Sequence, residues 1–219
     1  MLDRTQPHFQ EFWQQAPAGP CRPAGSYILL TFDGRKSEVK ANLERVRTLA
    51  LANGAIDYVV LEDPARAADV WKVRGALVKA VEAVSEQEPV DIVVPISRTA
   101  DFIAFVNELE AASGVRMVSF GHAGDGNVHL CVVRGDRDDE TWERDLHAVM
   151  DQAYHKAYEL GGVASGEHGI GVSKRRYFLR ESVKENLIVM NQIKDALDPL
   201  HILNDQKSYI GGHDHAEPV

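Results

Sequence analysis

The chain has 219 residues, 44% of them hydrophobic and 26% charged, which is enough apolar material for one large domain or two small fused ones. Its formal net charge of −9 gives no electrostatic footprint for nucleic acid and sets it against an anionic membrane surface. Cys21 and Cys131 form neither a disulfide framework nor a CxxC motif, the start "MLDRTQPHFQEFW" lacks the apolar stretch of a signal peptide, and no run approaches the roughly 20 apolar residues of a membrane span. These features predict a soluble protein of a reducing compartment, the cytoplasm.

Residues 1–25, polar and then rich in Pro and Gly, predict a short N-terminal helix and a linker. A strand is expected at 26–34, a helix at 37–54, a second strand at 56–62 and one long amphipathic helix over 63–84, entered through Pro64. A third strand follows at 90–96 and a helix at 97–114, closed by Gly114. Beyond the hairpin described next lie a helix at 139–160, a glycine-rich corner, a last helix near 182–197 and a disordered tail over 211–219. From Val90 onward the order reads β-α-β-β-α-β, which is ferredoxin-like, and the earlier β-α-β-α is readable as a second, partial unit of the same kind. The expected fold class is α+β, an antiparallel sheet with helices packed on one face, filling a domain of residues 26–210.

Two short stretches carry the chemistry. In "SFGHAGDGNVHL", residues 119–130, alternating apolar residues flank Gly-Asp-Gly-Asn, so the segment reads as a β-hairpin whose strands bring His122 and His129 to one spot beside the turn. In "LGGVASGEHGIGVSKRRYF", residues 160–178, five glycines surround an adjacent acid and base, Glu167 and His168. Glu167 can complete a His₂-carboxylate set suited to Zn²⁺ and tolerable to Fe²⁺, Mn²⁺ or Co²⁺, which leaves His168 free as a base. Lys174 and Arg175 follow the corner and could draw an anionic substrate, or simply open a basic helix.

Together "GHAGDGNVHL", "SGEHGIGVSKRRYF" and "IKDALDPLHILNDQK" resemble the C-terminal half of the FAD-linked 2-hydroxyacid dehydrogenase and oxidase family, which includes D-lactate dehydrogenases, glycolate oxidase flavoprotein subunits and D-2-hydroxyglutarate dehydrogenases. The resemblance runs from about Trp71 to Lys207. It implies a substrate-binding cap whose antiparallel sheet covers the flavin ring. His122, His129 and Glu167 fall on the family's metal ligands and His168 on its proposed catalytic base. Asn127 falls on an asparagine that contacts substrate, Arg74 on an arginine that binds the substrate carboxylate, and Asn204 on an asparagine near the flavin. Arg74 shares its helix with Arg66, Lys72 and Lys79, so a solvated basic face competes with that role.

The resemblance further implies FAD held mainly by a separate domain, because neither glycine stretch has G-x-G-x-x-G spacing on a strand-to-helix turn. This chain alone is expected to bind FAD weakly and to oxidise nothing. Its expected partners are a small 2-hydroxy acid and an FAD-binding domain, in cis or on a second chain; a homodimer is compatible with this. Pro89 stands where some relatives carry a lysine and Val78 where they carry a threonine, changes that count against a dicarboxylate substrate. Two readings from other classes stay open: a flavin-free metallohydrolase with Glu167 or His168 activating a metal-bound water, and a non-catalytic metal-binding interaction module.

Overall fold

A computed structural model describes residues 26–204 and 207; the expected N-terminal helix and linker of residues 1–25 and the tail of 211–219 lie outside them. The chain divides into two compact units, Met1–Leu77 and Val78–Val219.

In the first unit the described residues form two helices, α1 (Lys36–Ala52) and α2 (Pro64–Gly75). Asp63 caps α2, its carboxylate accepting from Ala65 N–H at 3.0 Å, and Pro64 follows in the first turn, where its missing N–H costs nothing. The strands expected at 26–34 and 56–62 do not form. Both segments are written in strand-forming residues, yet a strand exists only as part of a ladder, and neither has one among the described residues; Ile28 and Val59 stand exposed. The second, partial ferredoxin-like unit is therefore not seen there. The single helix expected over 63–84 is two, α2 and α3 (Leu77–Glu82). The break falls at Gly75 and Ala76, where glycine weakens the helical interior.

The second unit is the expected α+β arrangement. Strands β1 (Gln87–Val93), β2 (Met117–His122) and β3 (Asn127–Val133) form one antiparallel sheet in the order β1-β3-β2. Helix α4 (Thr99–Ser113) connects β1 to β2, and α5 (Asp139–Glu159) follows β3. Val163 makes an isolated antiparallel bridge to Val93, so the fourth strand of the expected β-α-β-β-α-β order survives as one pair on the free edge of β1. The helix expected near 182–197 is α7 (Lys184–Leu197), and a short helix not expected from the sequence, α6 (Arg175–Glu181), precedes it.

Alternation sorts the strands into two faces. Val90, Ile92, Val128, Leu130 and Val132 face the helices and pack with Phe102 and Val106 of α4 and Met150, Ala153 and Tyr154 of α5 into the main core. The intervening residues face the other way. At one end of that second face Val81 of α3 packs on Cys131 and Val133; at the other end stand Asp91, His129, Phe120 and His122. Register places Asp91 opposite His129, and His129 opposite Phe120.

Candidate metal and acid-base site

The hairpin does what its sequence predicts. His122 closes β2 and pairs with Asn127, while His129 lies two residues further along β3, diagonal to His122 on the same face. Their rings meet edge to face at a centroid separation of 5.4 Å. The turn is fixed from outside as well, since Val94 N–H donates to the Gly126 carbonyl at 3.0 Å.

The glycine corner supplies the opposing wall. After α5, which covers the apolar face, the chain rounds the free edge of β1 through the Val93–Val163 bridge and arrives on the second face. Two glycines permit the passage. A Cβ on Gly162 would lie 2.2 Å from the Val93 carbonyl, and one on Gly166 2.5 Å from the Asn127 amide nitrogen; only a residue without a side chain lets the backbone come so close.

That path brings Glu167 Oε1 within 3.2 Å of His129 Nε2 and 3.5 Å of His122 Nε2. One ligand atom from each of His122, His129 and Glu167 lies within 4.8 Å of the others. Both imidazoles therefore turn a ring nitrogen to one carboxylate oxygen, a donor set that fits a borderline cation such as Zn²⁺. Burial pushes the His129 pKa down, with the Asp91 carboxylate opposing it, which favours the neutral imidazole that a metal requires. His168 stacks on His129, ring centroids 5.0 Å apart, and its Nε2 stands 3.8 Å from Glu167 Oε1. His168 is half exposed, and its Nδ1 lies 4.0 Å from Asp91 Oδ2.

The floor is a residue that the sequence reading passed over. Asp91 is fully buried, and its Oδ2 accepts from Ser165 Oγ at 2.8 Å and from the N–H groups of Gly166, Glu167 and His168 at 2.9–3.0 Å. Burial alone would raise its pKa; the His168 N–H, the Ser165 hydroxyl, the Glu167 N–H and the Lys174 charge outweigh it and hold the group far below the ordinary carboxylate range. Lys174 is the second surprise. It does not face solvent to draw an anion: it is 4% exposed, with Nζ 3.5 Å from Asp91 Oδ2. An aspartate inside the apolar run "VDIVVP" was the available signal, since a buried charge demands partners.

Asn127 is buried where both corners meet, opposite His122 and Val93 in register and against Gly166. Arg74 belongs to the other unit, in the last turn of α2. Asn204 lies beyond α7 with a left-handed φ of 49°, its carbonyl accepting from Lys207 N–H at 3.2 Å. Just before it Asp198 ties down the "ILN" segment, accepting from Ile202 N–H at 3.1 Å and Leu203 N–H at 2.9 Å.

An antiparallel sheet with α4 and α5 on one face and a histidine-carboxylate cluster on the other defines an α+β domain. The whole-chain comparison is more specific: the model of the FAD linked oxidases, C-terminal domain, matches residues 1–208, and the chain belongs to that family. It is 40% identical over 185 residues to a D-lactate dehydrogenase of Anaerostipes hadrus, with 84% of this chain aligned to 39% of that protein. It is 29% identical to the glycolate oxidase subunit GlcD of Bacillus subtilis (85% of this chain, 40% of the relative) and 30% identical to a mitochondrial D-lactate dehydrogenase [cytochrome] of Arabidopsis thaliana (82% and 32%). The chain thus spans about two fifths or less of these relatives. Among the described residues no helix is long and apolar enough to cross a membrane.

Proposed function

We propose that this chain, as a domain filling residues 26–210, is the substrate- and metal-binding part of an FAD-dependent oxidoreductase that converts a D-2-hydroxy acid of the lactate, glycolate or 2-hydroxyglutarate type to its 2-oxo acid. The convergence of His122, His129 and Glu167 on one point beside His168, in a chain of the FAD-linked oxidase family, carries the reading. When bound, FAD supplies the hydride acceptor, and a divalent metal, Zn²⁺ in the first place, supplies Lewis-acid charge at the substrate oxygens.

The chain's own residues do the rest. His122 Nε2, His129 Nε2 and Glu167 Oε1 would hold the metal. His168 Nε2 would accept the substrate hydroxyl proton, and the chemistry a bound flavin would supply is acceptance of the α-hydrogen with its electron pair, leaving the 2-oxo acid. Asn127 would contact the substrate, an effect of positioning; the family resemblance gives Arg74 a role in binding the substrate carboxylate and Asn204 a role near the flavin.

Elemental analysis of protein purified without chelator tests the reading. One divalent metal per chain is expected, and His129→Ala should lose most of it. Equal metal in the two proteins overturns the assignment.

A further inference from the structure

The Glu167–His168 corner is held by one carboxylate. Three consecutive backbone N–H groups and the Ser165 hydroxyl converge on Asp91 Oδ2, the arrangement of an anion in a backbone nest, with a β1 side chain as the anion. The other oxygen, Oδ1, is buried without a hydrogen bond, and 3.6 Å away is His129 Nδ1, likewise buried without one.

We propose that Asp91 is the positioning residue of this site: Oδ2 fixes the corner that carries Glu167 and His168, and Oδ1 selects the Nδ1–H tautomer of His129. The inference rests on the metal reading above and extends it to a residue outside the donor set. The opposite tautomer would set a bare ring nitrogen against a bare carboxylate oxygen in a dry place, two acceptors and no proton between them. With the proton on Nδ1, the bare Nε2 faces Glu167 Oε1 at 3.2 Å; that carboxylate is half exposed and can turn to water when no metal lies between them, whereas the buried Asp91–His129 pair has no such outlet. A carboxylate behind a ligating histidine is how metal sites fix ring orientation and basicity. Lys174, at 3.5 Å from Oδ2, balances the buried charge. The four donors already on Oδ2 also make Asp91 a poor ligand for a second ion, although Asp91, His129 and His168 come close enough to form one more triad.

Asp91→Asn separates tautomer from shape. The four donors accept only the amide oxygen at the Oδ2 position, so the new NH₂ must face His129 Nδ1 and donate to it. That drives the imidazole proton to Nε2, where it blocks the metal. Because the change also strands the buried Lys174 ammonium, which can itself unfold a protein, the comparison is Asp91→Asn/Lys174→Met against Lys174→Met. In metal-free protein, long-range ¹H–¹⁵N NMR should show His129 as Nδ1–H in the wild type and in Lys174→Met, and as Nε2–H in the double variant. Zn²⁺ affinity, measured by competition with a chromophoric chelator, should fall about 10–100-fold from Lys174→Met to the double variant. An unchanged tautomer, or Zn²⁺ affinities within about twofold of each other, overturns the proposal. A wild-type chain that takes up no Zn²⁺ sinks the metal reading instead, and the NMR comparison still decides the role of Asp91.

Discussion

The two faces of the β1-β3-β2 sheet are built from neighbouring residues of the same strands and have opposite natures. Ile92 and Leu130 are in the main core, while Asp91 and His129, one position away, form the floor of the site. One face is held by apolar burial that tolerates many sequences; the other joins a small apolar cluster of Val81, Cys131 and Val133 to a few polar atoms with specific partners. Chemistry is thus mounted on the same rigid strands that the core immobilises, and a fault on one face should leave a signature different from a fault on the other.

The largest expected effect lies on the polar face. In the complete enzyme, His168→Ala should lower kcat on a D-2-hydroxy acid about 10²–10⁴-fold, roughly 3–5 kcal/mol in the barrier, with metal content and thermal midpoint near wild type. Metal loss together with activity restored by excess metal would make His168 a ligand and redraw the division of labour with Glu167. On the apolar face, Ile92→Ala should cost about 2–5 kcal/mol of stability, read by denaturant melts, while each folded molecule keeps its metal. Loss of metal in proportion beyond unfolding would show that the two faces are not separable. Gly166→Ala lies between the two. Its Cβ must displace Val93 and the Asn127 amide, so about 1–3 kcal/mol of destabilisation is expected, together with weaker metal binding because the corner is pushed off Asp91; stability and metal titrations that both match wild type would break that link.

Which parts were legible follows from the range of the interactions. The hairpin could be read from residues 119–130 alone, because turn chemistry and alternation are local. The ligand role proposed for Glu167 came from an adjacent acid and base inside a glycine-rich corner and from the family resemblance of that stretch. Asp91 showed in the sequence only as a charge inside an apolar run; its role depends on β1 lying beside β3 in a register that sets it opposite His129, and on a corner 74 to 77 positions away. The segments at 26–34 and 56–62 show the converse error, since strand-like composition cannot supply a strand's partner.

The smallest expected effect concerns the "ILN" segment. The Lys194 hydrogen bond, aided by the N–H groups of Leu203 and Ile202 and opposed by burial, holds the Asp198 pKa down to about 2 against an ordinary 3.8. A carboxylate depressed in the folded state stabilises above its unfolded pKa and loses that contribution as pH falls through the folded one. Amide protection at Ile202 and Leu203 should therefore hold down to about pH 4 and decline from there toward pH 2. A flat profile in the wild type, or the same decline in Asp198→Asn, would detach the segment from Asp198.

The passage of the chain around the free edge of β1 also orders events in time. His122 and Asn127 meet across a four-residue turn, whereas the His168 N–H must find Asp91 across 77 positions, a closure that costs about 2 kcal/mol more in chain entropy. Local contacts form early and distant ones late. Pulse-labelled hydrogen exchange during refolding should find β3 amides protected before those of Gly166, Glu167 and His168. A half-folded chain would then present His122 and His129 without Glu167, so the proposed donor set is complete only once the last segment has docked.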